Sequence, residues 1–369
     1  MSDEKEYGLS LVRDNEEIQA PSLPYLPPKP KAYSPPIGLI GCGGITEYHL
    51  RAYRKQGYKV TALCDIDLQR AEKRREEFYP KAKTYEDYRK VLDDPKIEVV
   101  DIATHPEERV EIIEEALAAG KHVLSQKPFV VDLQEGRRLV QLAKEAGRLL
   151  AVNQNGRWAP HFSYLRQAIR AGMLGEIVSV DFSLQWDHDW VADTVFNEVR
   201  HLLLYDFAIH WFDMTCCFLH GKEPQRVFAS IRKSPSQKSK QPLLGHALMD
   251  FAGGQATLSL DGNTPLGQQD QTIVVGTKGT ARAVGESLSK QDVKVHTEKG
   301  WFSPDLKGAW FENGFEGTMG ELLLAIEEGR TPTHNAEENL DSLALCFAAV
   351  ASSVEGWAKT VGEVTRLVD

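Results

Sequence analysis

Three side chains in this 369-residue sequence have the types and surroundings of groups that move protons or hold developing charge. Lys127 follows a short apolar run in HVLSQKPFV (122–130), wedged between Gln126 and Pro128. A lysine is a poor choice for a buried strand end. An ammonium there suits a group that orients a ligand or steadies a negative oxygen, with a pKa lowered by partial burial. Pro128 fixes the local backbone, in the kind of tight turn that keeps cis prolines. Asp206 and His210 stand four apart in LLLYDFAIHWFD and share a face if that stretch is helical. Both are embedded among apolar residues and need partners. Such a pair suits a carboxylate that orients an imidazole, which then takes a proton from a substrate hydroxyl. The plainer alternatives are a loop lysine on the surface and a structural Asp–His hydrogen bond, and Asp213 reads as structural. QWDHDW (185–190) is a polar–aromatic knot at a strand end, where His188 and Asp189 could line a sugar pocket and Trp186 or Trp190 could stack on a ring. No ligand spacing among His188, His201 and His210 supports a metal site.

These groups need a scaffold, and a glycine loop indicates which. GLIGCGGIT places Gly41-x-Gly43-x-x-Thr46 between an apolar strand and a helix expected from about Ile45 to Gln56. The motif alone is weak, and Thr46 stands where a third glycine is usual. Its context strengthens it: the loop follows the first strand, opens a helix, and Asp65 ends the second strand at the expected distance. Glycine lets backbone approach a pyrophosphate, whose charge the helix N-terminus favours, and Gly44 adds slack. Asp65 can accept hydrogen bonds from ribose hydroxyls and would repel a 2′-phosphate, so NAD is expected over NADP; Arg70, one turn on, could soften that preference.

Strand–helix alternation with continuous apolar strands runs from Ile37 onward and means a parallel, doubly wound sheet. Asp67 is a plausible N-cap, Pro106 suits a first helical turn, and Asp132 with Glu135 opens a helix that Gly147 closes. After residue 157 the rhythm changes. EIVSVDFSLQW, QRVFASI, HALMDF and QATLSLDG alternate as half-buried strands, with FAGGQ as a hairpin turn. A last helix is expected over about Glu337 to Lys359. The fold class is therefore α/β: a dinucleotide-binding domain over 37–156, then an α+β domain over 157–369 with a mixed or antiparallel sheet. Residues 1–36, proline-rich and aperiodic, read as a disordered tail or as an extended arm lying on a neighbouring subunit. The net charge of −10 disfavours nucleic acid and anionic membranes, and no apolar stretch reaches the roughly 20 residues of a membrane span. Five cysteines with no zinc spacing, and an acidic start without a signal sequence, suit a cytoplasmic protein.

Four features in order resemble the Gfo/Idh/MocA family (glucose–fructose oxidoreductase, inositol dehydrogenase, rhizopine catabolism). They are GLIGCGGIT with His49 just after it, Asp65, Gln126-Lys127-Pro128, and Asp206-x-x-x-His210. The resemblance covers residue 37 to the end and implies a Rossmann domain, an open-faced sheet, and nicotinamide between them. It implies NAD-dependent oxidation or reduction of a secondary alcohol or ketone on a sugar, glycoside or cyclitol. Lys127, Asp206 and His210 would be the catalytic groups. The cofactor would be held by Gly41, Gly43, Gly44, Ile45, Asp65 and Arg70, and further along by Thr104, His105, Gln126, Lys127 and Asn155. Arg157, Trp158 and His188, with Asp206 and His210, would meet substrate. The arm resembles one that some members wrap around a partner, so a homo-oligomer (dimer, tetramer or larger) is expected. Two departures stand out. The family's Glu is Gln126 here, which leaves Lys127 without its carboxylate neighbour, and the histidine ending the family's Thr-Pro-Asn-x-x-His segment is Arg109. An NAD-dependent glycosidase or lyase, a sugar–sugar oxidoreductase with a retained cofactor, and a non-catalytic NAD-bound sensor or scaffold are the other readings.

Overall fold

The computed structural model describes residues 16–368. Two sheets organise the chain. The first is six-stranded and parallel, in the order β3-β2-β1-β4-β5-β6. Its strands are β1 (Pro36–Ile40), β2 (Lys59–Cys64), β3 (Lys83–Tyr85), β4 (Val99–Ile102), β5 (His122–Ser125) and β6 (Leu150–Val152). Between them run α1 (Thr46–Gln56), α2 (Leu68–Phe78), α3 (Arg89–Leu92), α4 (Pro106–Ala118) and α5 (Leu133–Ala146). The expected caps are present. The Asp67 and Asp132 carboxylates accept the N–H groups of Gln69 and Gln134, Pro106 sits at the start of α4, and Gly147 ends α5 in the left-handed region. Each cap satisfies backbone groups that a helix end leaves orphaned, which is why these boundaries fall where they do.

The second sheet has nine strands, ordered β14-β13-β12-β11-β7-β10-β9-β8-β15. It comprises β7 (Ile177–Gln185), β8 (Pro224–Arg232), β9 (Leu244–Phe251), β10 (Gly254–Asp261), β11 (Gln269–Gly276), β12 (Gly279–Ser287), β13 (Lys290–Thr297), β14 (Gly300–Phe302) and β15 (Lys359–Thr360). It is mixed: β7 and β10 pair in parallel, the rest antiparallel. Val180, Phe182 and Leu184 of β7 face the helices, and Ser179, Asp181 and Ser183 alternate with them on the open face. α6 (Pro160–Arg170) and α7 (Ile209–Leu219) lie on the covered face, α8 (Trp310–Glu328) packs against α1, and α9 (Ala336–Glu355) covers β8. α9 stops four residues short of the expected end because Gly356 turns left-handed at φ 85°.

The described part of the arm lies on its own chain. Ile18 pairs with Trp301, and the hydroxyls of Ser163 and Tyr164 donate to the carbonyls of Tyr25 and Pro21. The Glu327 carboxylate accepts the N–H groups of Lys31, Ala32 and Tyr33 at 2.6–2.8 Å. This departs from the reading of these residues as a disordered tail. An extended proline-rich strip leaves its own backbone groups unpaired, and α6 and α8 offer side chains that pair them. The first fifteen residues of the expected arm lie outside the described residues. Among the described residues, no helix is long and apolar enough to cross a membrane.

Candidate active site

The site lies where the parallel strands end, because in a doubly wound sheet that edge faces the crevice. At the first turn, Gly41 has φ 91°, and a Cβ on it would stand 2.8 Å from the backbone carbon of Ala103. Only glycine fits there. A Cβ on Gly43 or Gly44 would meet nothing within 4 Å, so their backbone faces open space. The N–H groups of Gly43, Gly44 and Ile45 donate to no described group and stand at the start of α1. That is a ready cradle for a pyrophosphate. Asp65 is buried, with one oxygen accepting the Cys42 N–H and the other the Asp67 N–H, both within 2.9 Å. Each oxygen keeps a lone pair for a ribose diol. Beside it Ile66 is 89% exposed, an apolar surface at the place an adenine would need one. The residues present therefore fit a dinucleotide.

Arg70, the cation singled out in the sequence, points away: it is exposed and pairs with Asp67 at 3.4 Å. The guanidinium that touches the loop is Arg74, whose Nη2 lies 3.3 Å from the Gly43 carbonyl oxygen. The sequence did carry a signal for it. Ala71, Arg74 and Phe78 follow one face of α2, so Arg74 is the charged residue placed inward, and it is 8% exposed.

Lys127 leaves β5 through a cis peptide bond to Pro128. Its Nζ donates to the Asp206 carbonyl oxygen at 2.9 Å and to the Asp206 carboxylate at 3.2 Å. Lys127 therefore has a carboxylate neighbour after all, supplied from 79 residues away rather than from position 126. Gln126 turns inward instead: its Oε1 accepts the Lys127 N–H at 2.7 Å and its Nε2 meets His49 Nε2 at 3.1 Å. Arg109 is fully buried beneath this turn and donates to the carbonyl oxygens of Gln126, Pro128 and Thr104. Burial pushes its pKa down to about 10, which still leaves it charged at neutral pH. The second departure from the family pattern is thus a clamp on the lysine turn. Thr104 stands at the same edge with its Oγ1 buried and unpartnered, and His105 is exposed at the start of α4.

Asp206 and His210 do not pair. Residues Leu202–Phe207 form a π-helical turn and α7 starts at Ile209. The wider turn breaks the i, i+4 alignment that a continuous α-helix would give. Asp206 faces Lys127, and His210 Nδ1 is buried without a partner, its ring 5.6 Å from Trp310. Burial and then the Lys127 ammonium drive the His210 pKa well below the ordinary imidazole value. A neutral imidazole keeps one lone pair able to take a proton.

His188 stacks at 4.7 Å on Trp186 and meets Phe207, next to Asp206, at 4.6 Å. Burial lowers its pKa to about 4. The rings expected near a sugar pocket thus pack on one another, and the Asp189 carboxylate turns away from them to accept the N–H groups of Lys238 and Ser239. Three other expected residues serve the scaffold. Arg157 makes a buried ion pair with Asp213 at 2.6 Å, and Trp158 is buried against His334 and Arg166. Asn155 accepts the Trp310 indole N–H at 2.7 Å and so positions the ring beside His210. Trp310 itself had no signal in the sequence: it opens a helix with no clear apolar stripe.

Residues 36–154 match a family model described as oxidoreductase family, NAD-binding Rossmann fold (Gfo/Idh/MocA). Residues 162–282 match the Gfo/Idh/MocA C-terminal domain. Inositol 2-dehydrogenase from Rhizobium meliloti is 28% identical over 328 residues, 86% of this chain and 97% of the other. D-apiose dehydrogenase from Paraburkholderia graminis is 26% identical over 337 residues, 86% and 87% of the two chains. Among solved structures, an oxidoreductase from Agrobacterium radiobacter in complex with NAD+, L-tartaric acid and magnesium superposes with a TM-score of 0.80 at 22% identity, covering 89% of this chain and 99% of that one. Levoglucosan dehydrogenase in complex with NADH and levoglucosan gives 0.77 at 21%, covering 89% and 100%. At these identities the structural likeness is one of fold.

Proposed function

Because the chain belongs to the Gfo/Idh/MocA family of NAD-binding oxidoreductases, we propose that it interconverts a secondary alcohol and a ketone on a sugar, glycoside or cyclitol, using Lys127, Asp206 and His210. Bound NAD supplies the hydride acceptor, or in the reverse direction its reduced form supplies the hydride. The observation that carries the reading is the arrangement at the strand edge: an ammonium buttressed by Asp206, and a His210 whose Nδ1 is buried without a partner. Lys127 donates a hydrogen bond to the reacting oxygen and steadies alkoxide charge. Asp206 holds the ammonium in place and offsets its charge. His210 takes the hydroxyl proton, its lone pair kept available by burial. Trp186 and His188 offer a stacking wall to a sugar or cyclitol ring. The Asp65 carboxylate would repel a 2′-phosphate, which favours NAD, and the nearest guanidiniums are engaged by Asp67 and by the glycine loop.

The test is purified protein with NAD and a panel of sugars, glycosides and cyclitols, followed by reduced-nicotinamide absorbance. A cyclitol or sugar that yields reduced cofactor in the wild type but not in Lys127→Ala or His210→Ala supports the reading. Substrate conversion without net reduced cofactor points instead to transient sugar oxidation in a glycosidase or lyase. Wild-type rates in both variants would sink the assignment.

A further inference from the structure

Behind Lys127 runs a chain of largely buried polar contacts that the proposed chemistry does not touch. Asp101, on β4, accepts the Tyr53 hydroxyl at 2.6 Å and pairs with His49 Nδ1 at 2.7 Å. His49 and Asp101 are both 0% exposed, and Phe315 covers the ring at 4.4 Å. The other ring nitrogen meets Gln126 Nε2 at 3.1 Å and Asn153 Nδ2 at 3.3 Å. Gln126 Oε1 accepts the Lys127 N–H at 2.7 Å. We propose that Asp101 and His49 are positioning residues for Lys127, acting through Gln126, and that this wiring is why a glutamine stands there. The proposal rests on the reading of Lys127 above.

The polarity of each link follows from hydrogen-bond chemistry. An ionised carboxylate only accepts, so the His49 proton sits on Nδ1 and Nε2 carries the lone pair. A backbone N–H only donates, so the Lys127 N–H fixes the Gln126 amide with its oxygen toward the backbone and its NH2 toward His49. Position 126 must therefore accept at one end and donate at the other, and an amide does both. A glutamate there keeps the backbone bond but sets lone pairs against lone pairs at Nε2. The pair would then have to take up a proton in a fully buried place. The charged or titratable groups facing this point are Asp101 on β4, Tyr53 on α1, Arg109 on α4 beneath the Gln126 carbonyl, and the Lys127–Asp206 pair beyond it. Burial and Asp101 hold the Tyr53 phenol protonated. With the amide fixed and Arg109 on the carbonyls either side, the ammonium points one way.

The test needs no substrate. In protein labelled with 15N-histidine, His49 should appear as the neutral tautomer protonated on Nδ1, with His49→Gln identifying the signal. In Gln126→Glu, an isosteric change, the same ring should become doubly protonated at the same pH. In protein labelled with 15N-lysine, Lys127→Ala identifies the Lys127 ammonium signal. That signal should be lost in His49→Leu and return in His49→Gln, whose amide can donate to Asp101 and accept from Gln126. If His49→Leu does not fold, Gln126→Glu carries the test alone through the ring nitrogens. A wild-type ring protonated on Nε2, or a Gln126→Glu ring unchanged from wild type, overturns the proposal. So does a Lys127 signal indifferent to His49→Leu. Turnover of Lys127→Ala tests the role of Lys127 itself, so the two readings can fail separately.

Discussion

The turn that carries Lys127 and the aromatic cluster around His188 and His210 are built on opposite plans. On the parallel-sheet side, the turn that carries Lys127 is saturated. Both ends of the Gln126 amide, the Lys127 N–H and ammonium, and the carbonyls of Gln126 and Pro128 all have partners from the chain itself. On the aromatic side, the Nδ1 atoms of His188 and His210 and the indole N–H groups of Trp186 and Trp211 are buried with none. Leaving such groups unpaired costs about 1–3 kcal/mol each. Unpaired groups of this kind would suit a ligand rich in hydroxyls, each of which donates and accepts. The difference teaches where precision is built in and where it is completed by what binds.

The strongest way to break that contrast is to remove its centre. Lys127→Ala should lower turnover by about 10²–10³-fold, the scale of losing one aimed donor to a developing oxyanion. NAD affinity, measured separately, should be close to unchanged. The same variant carries a second, signed expectation. Lys127 is one of the two causes that depress the His210 pKa, so its removal should move that pKa upward. In the wild type His210 stays neutral, and the oxidation rate should lack the acid limb an ordinary imidazole of pKa 6.5 would give. In Lys127→Ala the residual rate should fall at a higher pH than in the wild type. Residual rates with the wild-type pH dependence would mean that His210 does not feel the ammonium.

The lysine turn should also be the part that holds the fold. Arg109→Met keeps the volume but leaves the carbonyl oxygens of Gln126, Pro128 and Thr104 buried without donors. Several orphaned acceptors should cost about 3 kcal/mol or more, read as a fall in melting temperature. His188→Ala, in the aromatic cluster, removes a stacked ring and no hydrogen bond of its Nδ1. It should raise KM several-fold while moving the melting temperature less than Arg109→Met does. If the two variants destabilise alike, the contrast between the two regions is not real.

How much of this was legible depends on sequence distance and periodicity. The parallel sheet was readable from caps and apolar runs because those signals are local: Asp67, Asp132, Pro106 and Gly147 each mark a helix end by their own chemistry. β11 to β14 and α8 passed unread. α8 is buried nearly all round and carries Gly314, Gly317 and Gly320, so it shows no apolar stripe and looks like a loop. Those glycines allow close packing: a Cβ on Gly317 would lie 2.1 Å from the Trp158 ring, and one on Gly320 the same distance from the Pro28 carbonyl oxygen. The pairing of Lys127 with Asp206 was illegible because nothing local links them. The i, i+4 rule assigned Asp206 to His210, and a single π-helical turn undid it. Gln126 and Arg109 were visible as departures, but their meaning is a pattern of bonds that only the folded chain supplies.

The smallest expected effect sharpens the contrast most, because its two parts have opposite signs. Trp186 sits 5.2 Å from Trp211 and stacks on His188, and its indole N–H is buried without an acceptor. Trp186→Phe keeps an aromatic ring and removes the orphaned donor. Losing that donor should stabilise the protein by about 1 kcal/mol, and the smaller ring gives some of it back through lost contact. The melting temperature should therefore hold or rise slightly. If the N–H completes its bond on a substrate hydroxyl, the same change removes one neutral hydrogen bond from the complex, about 1 kcal/mol, and KM should rise about fivefold with kcat nearly constant. A lower melting temperature with an unchanged KM would make the indole part of the scaffold. The aromatic cluster would then be as self-sufficient as the lysine turn.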